Sequence, residues 1–269
     1  MDADQAFANG AFIPGSERFP ALWKDRAAAL RVAQADRAEL RIPYGPAPRQ
    51  VFDLFRPAGA ARGLLIFVHG GYWRLFGAEY WSHLAAGGLA QGLAVAMPSY
   101  TLAPAARISA ITVEIAHAVA SAADRVAGPV LLAGHSAGGH LVARMICADV
   151  ALPDAVAARI AGVVPISPVA DLRPLLATAM NADLRLDAAE ARAESPVLHR
   201  PGRPVPVTVW VGAEERPVFL DQARALSRAW GAGLRVAPGR HHMDIVDGLA
   251  DPGDPLCRSL AAAADQSAP

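Results

Sequence analysis

The residues best placed to do chemistry are a serine between glycines, a pair of glutamates further on and two histidines near the end of the chain. Gly134-His135-Ser136-Ala137-Gly138 follows the apolar run Pro129-Val130-Leu131-Leu132-Ala133 and precedes the small-residue run Gly139-His140-Leu141-Val142-Ala143. Strand, sharp turn and helix in that order are what a Gly-x-Ser-x-Gly nucleophile elbow requires. The central residue of an elbow sits in a strained turn, and small residues fit on either side. Ser136 is the expected nucleophile; the plainer role for it is a helix N-cap. A serine hydroxyl is weak until a neighbouring base takes its proton. The order serine, acid, histidine then points downstream. His241 and His242 follow Val236-Ala237-Pro238-Gly239-Arg240. His242 is preferred as base because Met243-Asp244-Ile245-Val246 reads as the start of a helix on the sheet, with His241 as the alternative. The acid is expected in Gly212-Ala213-Glu214-Glu215, with Glu215 preferred over Glu214. Its task is to hold the imidazole tautomer and to stabilise the charged ring.

A second motif, His69-Gly70-Gly71-Tyr72-Trp73, directly follows the strand-like run Leu64-Leu65-Ile66-Phe67-Val68. Backbone N–H groups of Gly70, Gly71, Tyr72 and Ala137 are expected to form an oxyanion hole, each donor worth roughly 3 kcal/mol in the transition state. Tyr72, Trp73 and Tyr100 are expected to line the substrate pocket, with Phe76, Tyr80 and Trp81 as further aromatic candidates. His69, His135 and His140 are read as shaping the motifs, and His83, His117 and His199 as surface or partly buried histidines. There is no His-Glu-x-x-His, no paired Cys-x-x-Cys and no Walker loop, so no metal and no nucleotide cofactor are expected.

These residues must be held by a scaffold, and the chain alternates strand-like and helix-like runs. Strands are predicted at 50–55, 64–68, 93–97, 130–133, 160–166, 205–211 and 234–237. Helices are predicted at 81–91, 108–126, 137–149, 217–230 and after His242. Continuous apolar strands separated by helices imply an α/β fold with a mostly parallel sheet covered on both faces. Right-handed crossovers place the loops after the strands along one edge, where both motifs fall. The whole chain, 1–269, reads as a single domain. Residues 167–204 form a small cap, and the first forty residues, with Phe7, Phe12, Phe19 and Trp23, pack over the active-site edge.

The totals narrow the function classes. A chain of 269 residues, 53% hydrophobic, can bury a sizeable core. The formal net charge of +0 argues against nucleic acid and anionic membrane as partners. Lys24 is the only lysine, which reads as coding bias. Two distant cysteines, Cys147 and Cys257, make no disulfide framework. The N-terminus lacks a basic and an apolar signal region, and no run approaches a membrane span of ~18 residues, so a soluble cytoplasmic protein is expected. Its partner is expected to be a small-molecule substrate; the oligomeric state stays open, a homodimer included.

The His69–Trp73 motif together with Gly134-His135-Ser136-Ala137-Gly138-Gly139-His140 resembles the kynurenine formamidase (arylformamidase) branch of the α/β-hydrolase esterases. Met97-Pro98-Ser99-Tyr100-Thr101-Leu102-Ala103-Pro104, Ile166-Ser167-Pro168-Val169-Ala170-Asp171-Leu172 and Glu194-Ser195-Pro196 match further blocks of that branch. Phe219, Gln222 and His242-Met243-Asp244-Ile245-Val246 match at its spacing, and the resemblance covers roughly residues 7–250. It implies an α/β-hydrolase fold with Ser136, Glu215 and His242 as catalytic triad. Animal members carry aspartate where this chain has glutamate. The implied reaction is hydrolysis of N-formyl-L-kynurenine to formate and kynurenine through an acyl-enzyme. A carboxylesterase for small aryl or acyl esters is the alternative. A hydrolase fold that only binds a ligand is a third reading, opposed by the intact Ser136, Glu215 and His242.

Overall fold

The seven runs read as strands all lie in one eight-stranded sheet, and the computed structural model describes residues 2–265 of the chain. The strands are β1 (Ala38–Pro43), β2 (Val51–Phe55), β3 (Leu64–Val68), β4 (Ala94–Pro98), β5 (Val130–His135), β6 (Ile160–Ile166), β7 (Thr208–Gly212) and β8 (Gly233–Ala237). Before and between them come α1 (Ala3–Phe7), α2 (Phe19–Ala33), α3 (Ala85–Ala90), α4 (Ile108–Ala123) and α5 (Ala137–Arg144). The second half adds α6 (Asp154–Ala157), α7 (Asn181–Leu184), α8 (Ala188–Ala193), α9 (Pro217–Trp230) and α10 (Pro255–Asp265). The sheet order is β1-β2-β4-β3-β5-β6-β7-β8, with β2 antiparallel to both neighbours and the pairs from β4 to β8 parallel.

Alternation along each strand divides the core between the two faces of the sheet. Leu64, Ile66 and Val68 of β3 join Val130 and Leu132 of β5 in one cluster, against Ile108, Ile111, Ile115 and Val119 of α4. Leu65, Phe67, Leu131 and Ala133 point to the other face, where Trp23 of α2 and Leu256 and Leu260 of α10 cover them. Both faces being covered is why these strands read as unbroken apolar runs. Helix α9 has the predicted bounds because Pro217 opens its first turn and Gly231 closes it in the left-handed region, at φ 62°.

Some elements differ from expectation for local reasons. No strand is predicted before residue 50, yet β1 joins the edge of the sheet, exposing most of its residues and burying Ile42. The predicted helix over 81–91 begins as a tight 3-10 turn at Ser82–Leu84, preceded by another at Ala78–Tyr80, and only Ala85–Ala90 is α-helical. Its Gly87 lies so close to the chain that an added Cβ would sit 2.3 Å from the Leu249 carbonyl oxygen. The elbow helix stops at Arg144, five residues early, and Cys147 then bridges to Pro201. After His242 the chain makes a 3-10 turn at Ile245–Leu249. The helix proper starts only at Pro255, where the Asp254 carboxylate accepts the Leu256 N–H at 2.8 Å. Residues 167–204 contain short helical turns and no strand. None of the helices among the described residues is long and apolar enough to cross a membrane.

The strand order decides what can meet at the site. β3, β5, β6, β7 and β8 are consecutive neighbours, and Val68 pairs with Gly134, His135 with Ile166 and Gly212 with Ala237. The loops after all five strands therefore open on one edge.

Candidate active site

Ser136 sits between the last residue of β5 and the first of α5 with φ 56° and ψ −113°. A non-glycine residue there costs on the order of 1–3 kcal/mol and persists only where its surroundings hold it. Here the Ser136 N–H donates to the Ile166 carbonyl at 2.8 Å, and its own carbonyl accepts from His140 N–H at 3.0 Å. The flanking glycines answer a packing need. A Cβ on Gly138 would lie 1.9 Å from the Val68 carbonyl oxygen, and one on Gly134 would lie 2.2 Å from that of Gly138.

The loop after β3 folds against this elbow. A Cβ on Gly70 would meet the Ser136 Cβ at 3.1 Å and the His135 carbonyl oxygen at 2.9 Å. Gly71, Tyr72 and Trp73 follow one another at positive φ, and the N–H groups of Arg74 and Leu75 both donate to the Gly71 carbonyl. Among the described residues, the N–H groups of Gly71, Tyr72 and Ala137 have no acceptor. That leaves them free to donate to a developing oxyanion.

The acid loop and the histidine loop meet across β7 and β8. Nδ1 of His242 lies 2.6 Å from Oε2 of Glu215, with both side chains buried. Oε1 of Glu215 accepts from the Gly212 N–H at 2.9 Å and from the Ser167 hydroxyl. Burial alone would raise this carboxyl, but the His242 charge and hydrogen bond, the Ser167 hydroxyl and the Gly212 N–H outweigh it. They hold the group below the ordinary glutamate range. Phe219 packs on His242 with ring centroids 4.3 Å apart, and His135 lies 4.6 Å away on another side. Burial, reinforced by the His242 charge, keeps His135 neutral, well below the usual histidine range. Glu214 is exposed on the same loop. His241 accepts the N–H groups of Met243 and Asp244 on Nδ1, so it braces the turn that carries His242.

Ser136, His135 and His242 open into one cavity of about 290 Å³. Its walls include Phe7, Pro20, Trp23, Phe76, Trp81, Met180 and Met243, with Gly71 and Tyr72 at the loop. The N-terminal segment is fastened over it by the Tyr72 hydroxyl, which donates to the Phe7 carbonyl at 2.7 Å. Met180 brings the 167–204 segment to the same cavity.

Two of the expected pocket aromatics lie elsewhere. Trp73 is wholly buried against His140, edge to face at 5.1 Å. Tyr100 is also buried, stacked on His69 at 4.4 Å and donating its hydroxyl to the His69 carbonyl at 3.1 Å. Both support the loop from behind and do not line the cavity; Tyr72, Phe76 and Trp81 do. Tyr80 packs on Phe76 outside it. Ser167 was missed as a partner of the acid. It lies in the Ile166–Leu172 block quoted above, but its contact with Glu215 depends on the β6–β7 register, which no local pattern records. Among the described residues, no group of three His, Cys, Asp or Glu side chains could hold a metal ion.

Comparison with known proteins adds four findings. The α/β-hydrolase fold family matches residues 65–233. Kynurenine formamidase of Danio rerio is 27% identical over 261 residues, covering 86% of this chain and 89% of that protein. A crystal structure from Silicibacter sp. TM1040, of a protein provisionally described as a thioesterase, is 52% identical. It covers 97% of this chain and 99% of its own, with a TM-score of 0.94. Esterase B from Lactobacillus rhamnosis shares the fold at 20% identity and a TM-score of 0.68, over 93% of this chain and 95% of its own.

Proposed function

The chain belongs to the α/β-hydrolase fold family, and from that premise we propose a serine hydrolase that cleaves an aryl formamide, N-formyl-L-kynurenine, to formate and L-kynurenine. The observation that carries this reading is the 2.6 Å bond from Glu215 to His242 inside the cavity that Ser136 also lines. In this mechanism the Ser136 hydroxyl attacks the formyl carbon while Nε2 of His242 takes its proton. Glu215 keeps the other ring nitrogen protonated and stabilises the imidazolium. The N–H groups of Ala137 and the Gly70-Gly71-Tyr72 loop receive the oxyanion.

The tetrahedral intermediate collapses as His242 returns the proton to the departing aryl nitrogen, releasing kynurenine and leaving a formyl ester on Ser136. An amide nitrogen leaves only when protonated, so the reaction depends on the general acid. Water, deprotonated by His242, then attacks the ester and releases formate. The aromatic walls of Trp23, Phe76 and Trp81 suit a flat aryl leaving group. The identity to the zebrafish formamidase supports the same substrate class.

The 52% identical Silicibacter protein favours a second reading, a thioesterase or esterase with the same machinery. Hydrolysis of N-formyl-L-kynurenine, p-nitrophenyl acetate and acetyl-coenzyme A separates the two, measured for the wild type and Ser136→Ala. Formamide turnover is expected to be the fastest and to fall by about 10⁴-fold or more in Ser136→Ala. Thioester or ester turnover alone, lost in the variant, would keep the nucleophile and discard the formamide. Turnover unchanged in Ser136→Ala would discard the mechanism.

A further inference from the structure

We propose that Arg74 reads a carboxylate on the leaving-group side of the substrate, so that the cavity selects aryl substrates with a free amino-acid head group. This inference rests on the formamidase reading above and names the part of the substrate that reading leaves unrecognised. The cavity around Ser136 is mostly aromatic and apolar, and among the described residues Arg74 is the one arginine or lysine in its wall. Nη1 of Arg74 is held by the Asp183 carboxylate at 2.6 Å. Its Nε is buried and, among the described residues, has no acceptor. Leaving a buried donor unsatisfied costs about 1–3 kcal/mol, more for a charged group. A guanidinium fixed at one end and unpaired along another edge is the arrangement that takes a carboxylate through two parallel N–H bonds.

A second unpaired group lines the same space. Asn9 is buried, its Nδ2 lies 3.4 Å from the Tyr72 hydroxyl, and its Oδ1 has no partner among the described residues. Whichever way the amide is turned, one polar atom is left for a ligand. Neither group serves the Ser136–His242–Glu215 chemistry. Both lie beside the loop that offers the oxyanion donors, since the Arg74 N–H donates to the Gly71 carbonyl at 2.9 Å. Head group and scissile carbonyl would thus be held by one short segment, which orients the reacting atoms as well as binding them.

The test compares two ligands that differ only in the carboxylate. L-Kynurenine and kynuramine, its decarboxylated analogue, are titrated into wild type, Arg74→Gln and Arg74→Lys, with tryptophan fluorescence as the readout. Wild type is expected to bind L-kynurenine at least tenfold tighter than kynuramine. Arg74→Gln should bring that ratio close to one, and Arg74→Lys should restore part of it. Equal binding of the two ligands by wild type overturns the proposal without needing any variant to fold. A ratio that survives Arg74→Gln overturns it as well. N-formyl-L-kynurenine turnover is followed separately. A carboxylate preference without turnover would retain Arg74 and discard the formamidase reading, whereas turnover with equal binding would do the reverse.

Discussion

Glu215→Gln tests the proposed triad through the tautomer of one imidazole. The Glu215 carboxylate accepts three hydrogen bonds: His242 Nδ1–H on Oε2, and the Ser167 hydroxyl and Gly212 N–H on Oε1. Glutamine offers one acceptor oxygen and one NH₂ group. Two donors converge on the Oε1 position, so the amide oxygen settles there and the NH₂ faces His242. An N–H facing Nδ1 cannot coexist with a proton on Nδ1. The ring proton moves to Nε2, and that tautomer cannot accept the proton of Ser136. The same substitution logic in a serine protease triad costs about 10⁴ in kcat, which is about 5 kcal/mol of barrier.

Because the side chain keeps its volume and two of its three bonds, the folded structure should survive. Far-ultraviolet circular dichroism and thermal unfolding check that first. Steady-state hydrolysis of N-formyl-L-kynurenine and p-nitrophenyl acetate then gives kcat. A kcat within tenfold of wild type would refute the argument. So would an equal loss in Glu214→Gln, because that side chain is exposed and bonds to neither histidine. Glu215→Asp is the graded control. One methylene shorter, the carboxylate can reach His242 or the Ser167–Gly212 pair but not both, and a displacement of about 1 Å is expected to cost about 10²-fold.

Two further outcomes concern the scaffold. Glu194, in the 167–204 segment, accepts from Thr112 at 2.7 Å and from buried Arg144 at 3.2 Å, tying that segment to α4 and α5. Arg144 would keep Asp149, so Glu194→Ala should cost about 3 kcal/mol, the low end for breaking a buried pair. Urea unfolding measures it, and a loss below about 1 kcal/mol would contradict the account. Histidines buried in neutral form should lower stability in acid: burial pushes His69 and His83 down to about 4 and His140 down to about 3. Each is neutral in the fold but protonates near pH 6.5 once unfolded, so the unfolded chain takes up more protons between those values. Stability is then complete above pH 6.5 and falls by about 1.4 kcal/mol per pH unit for each histidine as the pH drops towards 4. A thermal midpoint equal at pH 5 and pH 7 would refute that sign.

How much could be read from the sequence followed from how local each signal is. The Ser136 elbow and the His69 loop were legible because each directly follows a strand buried on both faces, and such strands are continuous apolar runs. Helix α9 was legible to its ends because a proline and a left-handed glycine mark them in the sequence itself. Strand β1 was not, since it is an edge strand with exposed positions and a register shift between Glu39 and Ile42, which removes the alternation that would reveal it. Trp73 and Tyr100 sit beside motif residues and are aromatic, which is also what a pocket wall looks like. Whether the ring faces the cavity or the core is decided by the left-handed backbone at Tyr72 and Trp73 and by the packing of His69 and His140.

The contacts that the sequence hid are those that join distant segments at the active-site edge. Ser167 reaches Glu215 across 48 positions, and Arg74 reaches Asp183 across 109. Arg74 lies next to a recognisable motif and Asp183 in a segment with none, whereas Ser167 and Glu215 both lie in recognisable blocks whose contact leaves no local pattern. That division has a physical cause. Bond making at the serine needs a fixed backbone geometry, which only a few residue types can adopt, so it leaves a pattern in the chain. Holding the acid and reading the far end of a substrate need only a hydroxyl or a charge at the right place, and many loops can supply one. The catalytic serine and histidine are therefore the part of such a site to read from sequence. The residues proposed to choose the substrate have to be sought in the cavity, where, among the described residues, Arg74 Nε and Asn9 Oδ1 are buried polar atoms without a hydrogen-bond partner.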